Sequence, residues 1–208
     1  MNIVGISGKA GSGKDFLAKT VFAPAGFKSW SLAWHFKVWL AGQGQATYEE
    51  VFHTKPPHVR DLLQQEGTER GRNVYGENIW CDTAAMWITL LHEVWGADRF
   101  VIPDIRFPNE VAMVQRLGGK VIRLCAPERV ATSSLLAEAR AHPSETALDN
   151  YMDFDLIVFN DPGDTPLEEQ CAPILRWACG DGDDLVSPFE QVCLDEVAQT
   201  NYERTLYK

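Results

Sequence analysis

The chain has no apolar run long enough to cross a bilayer. Its start lacks the basic residues of a secretory signal, and a short apolar stretch passes directly into glycines. A cytoplasmic protein without a membrane partner is therefore expected. Cysteine is scarce and odd in number: Cys81, Cys125, Cys171, Cys179 and Cys193, with no CxxC pair. That pattern argues against a disulfide framework and against a zinc site. Internal repeats and low-complexity linkers are also missing. Cations are in deficit, with 19 Lys and Arg against 29 Asp and Glu, a net charge of −10. The deficit is uneven: residues 1–130 carry +2 and residues 131–208 carry −12. An acidic chain is a poor general binder of nucleic acid, whose phosphates require clustered cations, so no nucleic-acid partner is expected. A small anion needs only a few convergent cations, and most arginines lie in the near-neutral first part. The acidic remainder reads as a solvated surface.

The 208 residues suffice for one domain with a real core. A hydrophobic share of 45% and a charged share of 23% are ordinary for a globular chain. Residues 2–7 (NIVGIS) read as a buried parallel strand that ends at a glycine loop. Residues 16–22 read as a helix, 28–32 as a strand and 34–40 as a short helix. Residues 57–72 and 78–95 have helical spacing. Residues 99–104 read as a strand, with Pro103 ending its central pairing near Ile102. A helix follows over 109–117, closed by Gly118 and Gly119. Strands at 120–125 and 154–159 and a helix at 166–178 complete the pattern. Strands alternating with helices predict an α/β fold: a mostly parallel sheet flanked by helices in three layers. The polar, arginine-bearing stretch 126–143 reads as a lid, and residues 181–184 as a turn.

Gly8-Lys9-Ala10-Gly11-Ser12-Gly13-Lys14 fits GxxxxGK, with Asp15 where Ser or Thr is usual. Glycines let successive backbone N–H groups approach phosphate oxygens without a Cβ in the way. The helix that follows adds its N-terminal N–H groups, and Lys14 can reach the β and γ phosphates. The expected ATP ligands are Lys9, Gly11, Ser12, Gly13, Lys14, Asp15 and Phe16, with Lys14 catalytic. Asp15 has two readings: a carboxylate on Mg²⁺, or one that simply favours the positive end of the helix dipole.

The loop and four further segments resemble the phage deoxynucleoside monophosphate kinases. The segments are residues 31–37 (SLAWHFK), 63–72 (LQQEGTERGR) followed by 75–80 (YGENIW), 104–110 (DIRFPNE) and 142–149 (HPSETALD). They occur in the family's order from Ile3 to about Asn160. The resemblance implies a single P-loop kinase domain with an acceptor region near 31–96. It also implies ATP with Mg²⁺, a deoxynucleoside monophosphate (dNMP) acceptor and, for a phage-encoded chain, the host cytoplasm.

Transfer between two phosphates depends mainly on positioning and electrostatics, so arginines are the residues to seek. Arg70 and Arg72 read either as a fork for the nucleotide α-phosphate or as solvated helix-end cations. Asp104 and Arg106 lie beyond a strand's C-terminal end, where open α/β sheets bind ligands; the alternative is a surface ion pair. Lys37 reads as a phosphate contact or a solvated lysine, and Trp80 as a base-stacking platform or core packing. Ser144 and Glu145 read as lid or substrate contacts, or as the cap and first turn of a helix. Arg129 and Arg140, in the lid, are candidates for stabilising transition-state charge. The loop 160–163 reads as an adenine contact or a plain turn. Trp87 and Trp95 on one long helix suit either the core or a homodimer face. Two other functions fit the loop: a kinase for another small acceptor, of the dephospho-coenzyme A or phosphomevalonate type, and a nucleotide-binding module without transfer activity.

Overall fold

A computed structural model describes residues 1–131 and 142–180. Its contacts divide into two compact units. One joins Met1–Ser29 to the described residues from Ala97 onward, and the other is Trp30–Gly96.

The first unit is built on a sheet of five parallel strands in the order β2-β3-β1-β4-β5. The strands are β1 (Asn2–Ser7), β2 (Lys28–Ser29), β3 (Arg99–Ile105), β4 (Lys120–Cys125) and β5 (Leu156–Phe159). β1 is central and buried from Ile3 onward, which matches its nearly continuous apolar run. Alternate residues serve two helical layers. Val4 and Ile6 join Ile122, Leu124 and Val158 in a core with Leu17, Val21, Phe22, Ile174 and Trp177. These last five come from α1 (Lys14–Leu17), the π-helical turn that continues it (Ala18–Phe22), and the helix Leu167–Cys179. On the other face Gly5 approaches Ile105, Val121 and Val114 of the helix Pro108–Arg116. The result is the expected three-layer α/β arrangement, a parallel sheet flanked by helices, with β1 leading directly into the glycine loop.

Three strand expectations change, the smallest being that β5 begins at Leu156 rather than at Phe154. β3 does not stop near Ile102 but runs through Pro103 to Ile105. The register against β1 shifts between Gly5 and Ser7, pairing Gly5 with Ile102 and Ser7 with Ile105. That irregularity accommodates the N–H that proline lacks. β2 is only two residues long rather than five, because the chain leaves the sheet at Trp30 to build the second unit.

The second unit is helical: α2 (Trp34–Gly42), a π-helical turn (Glu50–Thr54), α3 (Pro57–Gln64) with its π-helical extension (Gln65–Arg72), α4 (Asn73–Tyr75) and α5 (Ile79–Trp95). Its core gathers Phe36, Leu40, Ala46, Val51 and Val59, with Phe52, Leu62, Leu63 and Trp80 packed against them. The remaining helices belong to the first unit: α6 (Pro108–Arg116), α7 (Pro127–Ala131), α8 (Pro143–Thr146) and α9 (Leu167–Cys179). Among the described residues no helix is long and apolar enough to cross a membrane.

Candidate functional site

The glycine loop lies at the C-terminal end of β1, between the ends of β3 and β4, where open parallel sheets place ligands. Its shape depends on glycine at two positions. Gly8 has φ +154°, and a Cβ there would sit 2.7 Å from the Leu124 carbonyl oxygen and 2.6 Å from Ser12 Oγ. Gly13 has φ +104°, and a Cβ would stand 2.8 Å from the Asn160 amide nitrogen. The Ser12 hydroxyl is buried and has no hydrogen-bond partner among the described residues. A buried orphan hydroxyl in a glycine cradle fits a phosphate ligand.

Lys14 opens α1 and donates back across the loop to the carbonyl oxygens of Gly8 and of Lys9, the latter at 2.8 Å. Burial pulls its pKa down from 10.5 to about 8, and the nearby Arg106 guanidinium adds to the effect. Glu145 and Asp15 act in the opposite direction. Asp15 is exposed in the first turn of α1. Phe16 is half-buried against the core of the first unit.

Arg106 stands just past β3 and is held from two sides. The buried Glu110 carboxylate, in the first turn of α6, accepts from the backbone N–H of Arg106 at 2.6 Å and of Phe107 at 3.0 Å. At the other end the Arg106 guanidinium donates to Glu145 Oε1 at 2.6 Å and to Ser144 Oγ at 3.2 Å. The other Glu145 oxygen accepts from the Ala10 N–H of the loop at 3.2 Å. Asp149 pairs with Lys9 at 2.9 Å and with Arg123 at 3.6 Å. Arg123, on β4, also donates to the Ser7 hydroxyl at 2.9 Å. Lys9, Lys14, Arg106 and Arg123 thus cluster around one loop, offset by Glu145 and Asp149.

Of the residues expected from sequence, Lys9, Lys14, Arg106, Ser144 and Glu145 come together here. Asp104 lies half-buried on β3. Ser144 is not a helix cap. His142 caps α8, its Nδ1 accepting from the Ser144 N–H, because Pro143 takes the first helical position. Arg129 donates to the Asn160 carbonyl at 3.4 Å, while Asp161 caps α7 by accepting from the N–H groups of Glu128 and Arg129. Arg140 lies outside the described residues, as do most of the stretch 126–143 and the turn at 181–184.

Lys37, Arg70, Arg72 and Trp80 belong to the second unit. The Lys37 ammonium lies 5.7 Å from the Phe52 ring centroid. Arg72 donates to the Glu77 carbonyl at 3.5 Å. Arg70 falls in the π-helical segment, and its side chain lies outside the described residues. The Trp80 indole N–H donates to the Gly67 carbonyl at 2.7 Å, and its ring packs beside His35 and Phe36. Those contacts are core packing within this unit.

Sequence reasoning missed Arg123, Asp149 and Glu110. Each lies inside a segment that the sequence marks, but nothing local marks its partner.

No protein-family model matches the chain. A protein of Acanthamoeba polyphaga mimivirus, provisionally named deoxynucleotide monophosphate kinase, is 26% identical over 179 residues, covering 77% of this chain and 89% of its own. Among solved structures, the shikimate kinase of Bacteroides thetaiotaomicron aligns at a TM-score of 0.46 and 16% identity, covering 86% of this chain and 98% of that one.

Proposed function

We propose that the acceptor of this ATP-dependent phosphotransferase is a deoxynucleoside monophosphate, converted to the diphosphate with release of ADP. One observation carries the reading. Arg106, fixed by Glu110 and Glu145, stands beside a phosphate loop that also carries Lys9 and Lys14. A fixed arginine next to a nucleotide loop suits a second phosphate brought up to the first. The name of the mimivirus relative supports the choice of acceptor.

In this reading the loop N–H groups and Lys14 bind the β and γ phosphates of ATP. The contacts Lys14 now makes to the Gly8 and Lys9 carbonyls would be exchanged for phosphate oxygens. Mg²⁺ would neutralise charge on those oxygens when bound. It favours one or two carboxylates plus substrate phosphates, and exposed Asp15, beside Lys14, is the residue suited to hold it. Arg106, Asp104, Ser144 and Glu145 are proposed for the acceptor side of the first unit. Lys37, Arg70, Arg72 and Trp80 are proposed for the acceptor region at 31–96. Arg129 and Arg140 are proposed to spread transition-state charge from the lid at 126–143.

The test is a coupled ADP-release assay with ATP, Mg²⁺ and each dNMP in turn, with Lys14→Ala as the blank. Release dependent on one or more dNMPs supports the reading. ATP binding without release for any dNMP overturns it and directs attention to other small acceptors.

A further inference from the structure

Glu145 is placed unlike a residue that merely touches substrate. Its side chain is only 12% exposed. Each carboxylate oxygen is committed to a different part of the site: Oε1 to the Arg106 guanidinium, Oε2 to the Ala10 N–H of the phosphate loop. A free carboxylate here would repel an incoming phosphate. Doubly engaged, it is neutralised and acts as a spacer. Arg106 is correspondingly fixed at both ends, its backbone by Glu110 and its guanidinium by Glu145. Asp149 repeats the arrangement beyond α8, joining Lys9 of the loop to Arg123 of β4.

We propose that Glu145 is a positioning residue that couples Arg106 to the phosphate loop through its two carboxylate oxygens and so sets the spacing between an acceptor-side guanidinium and the donor phosphates. The functional use of that spacing rests on the proposed acceptor, whereas the coupling itself does not. The bridge needs two acceptor oxygens at one particular reach. Glutamine keeps the length but has a single acceptor oxygen. Aspartate keeps both oxygens and the charge but is shorter by one carbon–carbon bond, ~1.5 Å. Neither supplies two acceptor oxygens at the required reach.

The experiment uses the full chain as wild type, Glu145→Gln, Glu145→Asp, Arg106→Lys and the double variant Arg106→Lys/Glu145→Gln. Two quantities are read: ATP affinity by calorimetry without any acceptor, and steady-state kcat and KM with the accepted dNMP. Residues that share one interaction are non-additive. ATP affinity should fall roughly 3- to 10-fold in each single variant and no further in the double variant. Turnover should fall about 10- to 100-fold in kcat, with acceptor KM changed less than about 3-fold, as for a misplaced group that still binds.

Additive losses in the double variant overturn the coupling. So does Glu145→Asp behaving as wild type, which would mean that charge alone matters. A fall in KM with unchanged kcat would make Glu145 a competitor of phosphate and also overturn the proposal. If Glu145→Gln does not fold cooperatively, the same cycle is run with Glu145→Asp. If the wild type turns over no dNMP, the proposed acceptor fails, and the affinity cycle still decides the coupling.

Discussion

The side-chain amide of Asn160, at the end of β5, donates to the Ser12 carbonyl across 2.8 Å, in a buried bond spanning 148 residues of chain. The same amide nitrogen stands 2.8 Å from where a Cβ on Gly13 would be, so Asn160 supports the loop's final turn from behind. Its own backbone N–H is fixed on the Cys125 carbonyl at 2.8 Å. Asn160→Ala leaves the Ser12 carbonyl buried and unsatisfied. An unsatisfied buried acceptor costs about 1–3 kcal/mol. The variant should melt earlier and bind ATP more weakly, and thermal unfolding with nucleotide titration would show both. An unchanged melt with full ATP affinity would mean that the loop holds its shape alone.

Much of the first unit was legible in the sequence because its signals are local. The run 2–7 followed by glycines gave β1 and the loop, and Lys120–Cys125 is the strand expected, residue for residue. The supports of the site were not legible because their partners are remote. Arg123 sits in KVIRLC and reads as an outward charge on a strand. Its partners are Ser7, the residue it faces across the β1–β4 ladder, and Asp149 from beyond α8. Glu110 was visible as part of a motif, but its two backbone bonds depend on the turn that Pro108 makes. Pro103 misled for the opposite reason: the local rule was sound, and a register shift against β1 accommodated it.

Gly71 has a packing role that no local feature of the sequence marks. In the structure a Cβ at Gly71 would lie 2.1 Å from the Trp80 ring, well inside contact distance. The glycine is there to admit the indole, which is anchored on the Gly67 carbonyl. Gly71→Ala should therefore destabilise the fold by about 1–3 kcal/mol through overpacking. Trp80→Phe in the same background should recover part of that loss, because the smaller ring withdraws from the added methyl. Urea unfolding of the two variants decides it; no recovery would place the fault in the backbone rather than in the ring contact.

Lys14 gives the site a pH dependence with a definite sign. Its folded pKa of about 8 lies below the ordinary 10.5, chiefly because it is buried. The ammonium that binds phosphate is present below about pH 8 and lost above it. kcat/KM for ATP should be flat at neutral pH and decline above about 8, whereas kcat should decline only at higher pH, since bound phosphates restore the charge. Stability should move the other way. Between about pH 8 and 10.5 the unfolded chain holds the proton more tightly, so this group makes unfolding less favourable as pH rises. Initial rates at varied pH, together with unfolding over the same range, measure the two trends. A kcat/KM profile flat to pH 10 would show that Lys14 is not the titrating group.

Asp15 is where the loop departs from the usual Ser or Thr, and its surroundings make two readings separable. The side chain is exposed at the start of α1, next to a lysine whose pKa its charge helps to raise. If it serves only the helix dipole, Asp15→Asn should cost no more than about 1 kcal/mol of stability and leave the metal requirement unchanged. If it holds Mg²⁺, the same variant should need roughly 10-fold more Mg²⁺ for half-maximal rate, in line with the loss of a ligand-sphere group. Asp15→Ser, which supplies the hydroxyl that most phosphate loops place on the metal, should recover part of that loss. Mg²⁺ titrations of the three proteins at saturating ATP read this directly, with EDTA expected to abolish transfer in all of them. A raised Mg²⁺ requirement in Asp15→Asn would place the carboxylate on the metal, and an unchanged one would assign it to the helix dipole.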